Sequence, residues 1–301
     1  MPPIPDLHTH STASDGTLTP TELIARAGAA GVRVLALTDH DNTDGLAEAG
    51  RTADDSGLTL IPGVEISVTW NTRTVHVVGL RIDPTNADLQ IGLARLMEFR
   101  AWRAEEIGRR LAKHGIEGAY EGARALAKGR LIGRTHFARF LVRIRRAADT
   151  SEVFRHFLTR GKPGHVPGDW VSLEDALGWI HAAGGEAVIA HPARYDLTRS
   201  RIQRLLGEFR ELGGVGVEVV TGSHSRDEAF TFARHAREQR LRASAGSDYH
   251  GPENPWLEPF GLIVLLILLV TGVLGTVLLP VVIWTIGLLP GSGIVKELFL
   301  V

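Results

Sequence analysis

Leu7-His8-Thr9-His10-Ser11-Thr12-Ala13-Ser14-Asp15-Gly16 is the stretch whose reading decides the fold. In a strand successive side chains alternate faces, so His8 and His10 point the same way, two imidazoles aimed at one spot. Asp15 follows a Ser/Thr/Gly turn that folds it back towards them. A lone His-x-His carries little weight, and the reading depends on whether later strands deliver more ligands to the same place.

Working outward, the pattern alternates. Thr19-Pro20-Thr21-Glu22 is a helix start, with Thr at the N-cap, Pro at N1 and Glu at N3. That helix runs to Gly31, where glycine suits the left-handed position after a helix. Val32 to Leu37 is a buried-type strand ending in Thr38-Asp39-His40-Asp41. A helix over 43–56 leads into Leu58-Thr59-Leu60-Ile61 and, after Pro62-Gly63, into Val64 to Trp70. Asn71-Thr72-Arg73 joins that run to Thr74–Leu80 as a hairpin.

Residues 84–160 break the period, with Leu89, Leu93, Leu96 and Met97 spaced as one helix face and helical patterns continuing to Leu141. Gly161-Lys162-Pro163-Gly164 begins a turn-rich return. Ala187–Ala190 then ends in His191-Pro192, Gly216–Val220 ends near His224, and Ala243–Ser247 ends in Asp248-Tyr249-His250, with helices expected between them. The expected fold class is α/β: a seven-stranded distorted βα barrel with a helical insertion and a C-terminal hydrophobic tail. The expected division is barrel over 1–83, basic helical insertion over 84–160, barrel again over 161–258 and tail over 259–301.

Composition is globular as far as Glu258, with 65 charged residues in 258, which excludes a disordered chain. Cysteine is absent, excluding disulfides and thiolate sites, so any metal must be held by His, Asp and Glu. Residues 95–160 hold sixteen Lys/Arg against seven Asp/Glu, and fourteen of the sixteen are arginine. Two readings stand, solvated helix faces or a basic wall for a polyanionic substrate, and arginine's fit to phosphate favours the second. The N-terminus lacks the basic and apolar regions of a signal peptide, so a cytoplasmic catalytic domain is expected. From Pro259 to Val295 there is no charge, and residues 262–289 exceed the roughly 20 apolar residues a membrane span needs. That tail is read either as a membrane anchor or as a terminus that is not native sequence.

His8, His10, Asp15, His40, Glu65, His76, His191, Asp248 and His250 mostly fall at or just past expected strand ends. In an α/β barrel those ends form one rim. So many carboxylates converging without compensating charge would be costly, and two or three divalent cations resolve the conflict. Arg134, beside an expected helix start, is a phosphate-holding candidate, and His136 a second holder or a proton donor. Arg100 and Arg103, three apart on a helix, are candidates for another phosphate, with a plain surface role as the alternative. His114, His156, His181 and His235 are read as surface residues, and His165 and His224 are left open.

The ordered set His8-Thr9-His10 with Asp15, Thr38-Asp39-His40-Asp41, Pro62-Gly63-Val64-Glu65, Val75-His76-Val77-Val78-Gly79, Ala190-His191-Pro192 and Gly246-Ser247-Asp248-Tyr249-His250 resembles the PHP family of metal-dependent hydrolases. Ile132-Gly133-Arg134-Thr135-His136-Phe137-Ala138-Arg139 and Gly161-Lys162-Pro163 are similar to its subgroup of nucleoside 3′,5′-bisphosphate phosphatases that are also 5′-to-3′ exoribonucleases. The hydrophobic tail departs from that subgroup. The resemblance implies a nucleoside bisphosphate or short RNA substrate, hydrolysis by metal-activated water, and no recognition of DNA sequence. By position it implies one ion on His8, His10, Glu65 and Asp248, a second on Glu65, His76 and His191, and a third on Asp15, His40 and His250. Mn²⁺ is the expected metal, with Fe²⁺, Zn²⁺ and Mg²⁺ as alternatives. The rival expectations are a histidinol-phosphatase-like phosphomonoesterase and a non-catalytic, membrane-tethered metal- or nucleotide-binding module.

Overall fold

The computed structural model describes residues 4–252, so the expected tail, with its anchor over 262–289, lies outside the described residues. Seven strands form one sheet in chain order: β1 (Ile4–Thr9), β2 (Val32–Leu37), β3 (Thr59–Trp70), β4 (Arg73–Leu80), β5 (Glu186–Ile189), β6 (Gly216–Thr221) and β7 (Arg242–Gly246). The two edges nearly meet. Asp248 N–H donates to the His8 carbonyl and His10 N–H to the Tyr249 carbonyl, both at 2.9 Å, making a barrel that is all but closed. Gly246 sits at this seam, where a Cβ would lie 2.4 Å from that of His8, so only glycine permits the approach.

Outside the insertion, five helices lie between the barrel strands: α1 (Pro20–Ala29), α2 (Leu46–Ser56), α7 (Leu173–Ala182), α8 (Arg199–Glu211) and α9 (Arg226–Gln239). The expected capping box is present on α1, with Thr19 Oγ1 accepting from Glu22 N–H at 3.2 Å and Glu22 Oε2 accepting from Thr19 N–H at 2.8 Å. Gly31 takes the left-handed conformation with φ +87°. α2 starts three residues later than expected, because Asn42 Oδ1 accepts from Asp44 N–H and holds 42–44 in a turn.

The two apolar runs 58–61 and 64–70 prove to be one strand, β3, paired antiparallel with β4. The hairpin turn has two residues, Asn71 and Thr72, both at positive φ as a tight turn joining right-twisted strands requires. β4 is antiparallel to β5 as well, and every other neighbouring pair is parallel.

Alternation along the strands sets the layers. On β3, Val64, Ile66 and Val68 pack outward against the helices, while Glu65 and Ser67 take the inner face. The barrel floor is apolar, built from Leu7, Val34, Ala36, Ile61, Val78, Leu80, Val188 and Ala190. Polar side chains are thereby confined to the upper end of the barrel.

The insertion comprises α3 (Ala87–Ala112), α4 (Ala119–Arg124), α5 (Arg134–Arg143) and α6 (Thr150–Val153), the last running into a π-helical turn at Phe154–Leu158. α3 serves two cores. Leu89, Leu93 and Leu96 join the barrel core, whereas Ile107 and Leu111 join a separate cluster with Phe137, Leu141 and Leu158. α7 (Leu173–Ala182), capped by Ser172, returns the chain to β5.

Candidate metal centre and phosphate cavity

The barrel brings all nine sequence-predicted His, Asp and Glu residues to one end. His8 and His10 flank the end of β1, His40 follows β2, His191 follows β5, and Asp248 and His250 follow β7. Glu65 and His76 depart from the strand-end expectation. They sit within β3 and β4, His76 opposite Ser67 and Glu65 two residues before it, because this hairpin rises past the rim formed by the shorter strands.

Glu65 is the hub. Its Oε1 lies 2.8 Å from His76 Nδ1 and 2.9 Å from His191 Nε2. Its Oε2 lies 2.8 Å from His40 Nδ1 and 3.4 Å from Nε2 of both His8 and His10. The same five imidazoles make a ring of neighbours, from 4.7 Å between the centroids of His10 and His40 to 5.7 Å between those of His8 and His191. Asp248 Oδ1 lies 3.2 Å from His10 Nε2, and Asp15 Oδ1 lies 3.2 Å from His250 Nε2.

Four sets of ligand atoms fall within 4.8 Å of one another: His8, His10 and Asp248; His8, Glu65 and His191; His40, Glu65 and His76; and His10, Asp15, His40 and His250. His8 Nε2 and His10 Nε2 face each other at 3.0 Å. Asp15 Oδ1, His40 Nδ1, Glu65 Oε2 and His191 Nδ1 are buried without a hydrogen-bond partner. His40 Nδ1 is close to Glu65 Oε2, yet the angles make no hydrogen bond. Buried lone pairs that converge without bonding one another suit cations, and all are oxygen or nitrogen donors of the kind divalent ions take.

The titration of the cluster agrees. Burial opposes charge on His8, His10, His40, His76 and His250 and on Asp15, Glu65 and Asp248. It wins at His10 and His76, lowered to about 3 and about 4. It is overcome at His8 by Glu218 and Glu65, at His40 by Glu65 and Asp15, and at His250, pushed up to about 9 by Asp15 and Asp248. Without a cation, protons on His8 and His250 supply positive charge beside the carboxylates.

Sequence reading missed the residue that holds this ring in place. Glu218, on the inner face of β6, accepts from His8 Nδ1 at 2.7 Å and from the His191 N–H at 2.5 Å. His191 and Asp248 both have left-handed backbones, φ +26° and +55°, which side-chain-bearing residues adopt only when neighbours enforce it. The Glu218 bond to the His191 amide is one such constraint. The one available signal was a carboxylate inside the apolar run Gly216-Val217-Glu218-Val219-Val220. Asp39 supports the first loop similarly, accepting from Ser11 N–H, Ser11 Oγ and Ser14 Oγ at 2.6–2.8 Å. Asp6 accepts from Ser247 N–H and Oγ, and burial still pushes it up to about 6.

A cavity of about 450 Å³ opens beside the cluster, lined by Arg100, Arg103, Arg134, Arg194, Trp170 and Tyr195 among others. Arg134 opens α5, as expected, and stacks on Phe154. The surface reading of Arg100 and Arg103 is overturned, since both are buried against Trp170. Arg100 is already engaged by Asp41 and Ser67, whereas Arg103 donates only to the Val166 carbonyl. Arg194, not foreseen, pairs with Asp248 at 2.5 Å. His136 lies buried outside the cavity lining, its Nδ1 accepting the Gly133 N–H at 3.0 Å.

Among the other histidines, His114, His156 and His181 are exposed as expected. His235 is not. It is 2 % exposed on the inner side of α9, with Nδ1 2.7 Å from Gln203 Nε2. Its helical spacing was compatible with either face, and the packing of α8 against α9 decides it.

The chain is similar to known proteins. The PHP domain model matches residues 6–164. The chain is 52% identical over 248 residues to a 3′,5′-nucleoside bisphosphate phosphatase of Chromobacterium violaceum, covering 82% of this chain and 87% of that protein. It is 47% identical over 255 residues to the 5′-3′ exoribonuclease Rnm of Escherichia coli K12, covering 84% and 87%. A solved structure of an amidohydrolase from Chromobacterium violaceum with bound sulfate superposes with a TM-score of 0.81 at 52% identity, covering 83% of this chain and 88% of that one. With its ordered histidines and carboxylates gathered at one barrel rim, the chain belongs to the PHP domain family.

Proposed function

We propose that the protein is a metal-dependent phosphoesterase that removes the 3′-phosphate of nucleoside 3′,5′-bisphosphates and trims short RNA from its 5′ end. The observation that carries this reading is Glu65 with five imidazole nitrogens within 3.4 Å, set beside an arginine-lined cavity. The names of the similar phosphatase and exoribonuclease support the substrate class.

The residues proposed to hold two or three divalent ions are His8, His10, Asp15, His40, Glu65, His76, His191, Asp248 and His250. Mn²⁺ is the proposed metal. Such ions, when bound, make water nucleophilic at neutral pH and offset charge on the phosphoryl oxygens. The protein's own groups do the rest. Arg134, Arg103 and Arg194 present guanidinium donors into the cavity and orient an anionic substrate there. Thr135 Oγ1 donates to Asp15 Oδ2 at 2.8 Å, tying the start of α5 to the cluster, so a phosphate held by Arg134 is registered against it. The cavity volume suits a nucleotide, and several cationic side chains favour a substrate with more than one phosphate over a histidinol-phosphate-sized monoester. Residues 84–160 are on this reading the substrate-binding insertion.

The test is phosphate release from a nucleoside 3′,5′-bisphosphate and mononucleotide release from a 5′-phosphorylated RNA. Both should vanish with chelator and return with Mn²⁺. A metal-loaded protein that releases neither product would refute the proposal.

A further inference from the structure

The segment from Thr159 to Val166 starts at the cavity wall and runs beside α3. Thr159 lines the cavity itself, and the residues after it turn tightly, with Lys162 N–H donating to the Thr159 carbonyl and His165 N–H to that of Lys162, both at 3.0 Å. Gly164 N–H donates to the Phe157 carbonyl at 2.7 Å, and Gly164 is packed so tightly that a Cβ would touch Leu111 at 3.0 Å. The segment is therefore a fixed part of the surface.

Its flank is α3. Arg103, at the cavity, donates to the Val166 carbonyl, and Arg110 donates to the His165 carbonyl. The two arginines are two turns apart on one helix face, or about 10.5 Å along the axis. His165, between them, is lowered by partial burial and then by four guanidinium charges, those of Arg103, Arg134, Arg110 and Arg160. Two of these, Arg103 and Arg134, line the cavity, and two, Arg110 and Arg160, lie outside its lining, so guanidinium groups flank His165 on both sides of the cavity edge. Arg160 and Lys162 are exposed beyond it. Of the neighbouring acids, Glu106 is engaged with Arg109 and Arg110, and Glu152 with Arg155 and His156, while Asp169 is exposed seven residues beyond Lys162. Neither Arg160 nor Lys162 forms an ion pair among the described residues.

We propose that Arg160 and Lys162 form an exit track that holds the backbone phosphates of an RNA strand 3′ to the nucleotide in the cavity. The proposal rests on the function proposed above, and deepens it by separating a long substrate from a short one. A nucleoside bisphosphate fills only the cavity. An oligoribonucleotide with its 5′ end in the cavity also neutralises the track and releases counterions from its own backbone there.

The test uses the full chain, metal-free in EDTA, and a 5′-phosphorylated hexaribonucleotide with a 3′ fluorophore, followed by anisotropy as salt is raised. Wild type is compared with the double variant Arg160→Ala, Lys162→Ala, both exposed and outside the catalytic cluster. Loss of two phosphate contacts should make the log-affinity against log-salt slope shallower by about 1.4, so that the variant loses roughly sevenfold less affinity than wild type between about 50 and 200 mM salt. Displacement of the hexamer by a nucleoside 3′,5′-bisphosphate should give the same bisphosphate affinity in both proteins. An unchanged slope, or an equal fall in affinity for both ligands, would overturn the track. A wild-type chain that shows the track in this binding assay yet releases no phosphate from nucleotides would sink the catalytic reading alone.

Discussion

His8 Nδ1 and Glu218 Oε1 lie 2.7 Å apart inside the barrel, with no solvent reaching the histidine. This contact sets which ring nitrogen of His8 faces Glu65 and Asp248, since a proton shared with Glu218 leaves Nε2 as the free donor. Glu218→Gln keeps the shape and removes the charge. Metal affinity should fall by roughly 10- to 100-fold, the usual effect of losing such a supporting carboxylate. Titration of metal-free protein with Mn²⁺, read by bound-metal analysis, checks this, and unaltered affinity would show that Glu218 is only packing.

His191→Ala and Asp248→Ala should each abolish phosphate release, because each removes a ligand atom from the cluster. His235→Ala should leave activity near wild type but lower stability by about 0.5–3 kcal/mol, since it removes a buried imidazole that packs beside Phe232 and bonds Gln203. Paired activity and thermal-unfolding measurements on the three variants separate the two classes of histidine.

Arg100 and Arg103 should behave differently although both line the cavity. Arg100 is paired with Asp41, whose backbone is left-handed at φ +48° and whose Oδ1 accepts from the Ser67 N–H at 2.7 Å. Arg100→Ala leaves Asp41 buried and unpaired, so a stability loss of about 3–5 kcal/mol is expected in denaturant unfolding. Arg103 has no carboxylate partner among the described residues, and Arg103→Ala should raise KM for the bisphosphate with a smaller effect on unfolding.

Metal binding should release protons. In the metal-free protein His8 is held well above the usual histidine range by Glu218 and Glu65, and His250 is pushed up to about 9 by Asp15 and Asp248, so near pH 7 both carry protons that a cation must displace. The sign follows: metal affinity rises with pH through the neutral range and falls as pH drops. Calorimetric titration with Mn²⁺ in two buffers of different ionisation enthalpy measures the proton count, and a count of zero contradicts this account.

Much of this was legible in the chain, because strand and helix periods are local. Val64, Ile66 and Val68 alternate with Glu65 and Ser67, and that order of residues alone marks an inner polar face. The metal cluster was legible for a related reason, since strand ends in a barrel share one rim. Glu218 escaped notice because a single acid in a valine run is indistinguishable from an irregular strand until its partners 210 and 27 residues away are in place. Arg194 escaped because it lies in a short turn, Pro192–Tyr195, with no period to read.

The sequence by itself determined the order of strands and helices and the capping of α1, which depend on neighbours a few residues away, and it marked the nine side chains that meet at the rim through the shared geometry of barrel strands. Tertiary structure alone decided that β3 and β4 rise past that rim, that Arg100 is engaged while Arg103 has no carboxylate partner among the described residues, and that His235 is buried. Those outcomes depend on which surfaces pack together across the fold, and a linear pattern carries no distance between residues far apart in the chain.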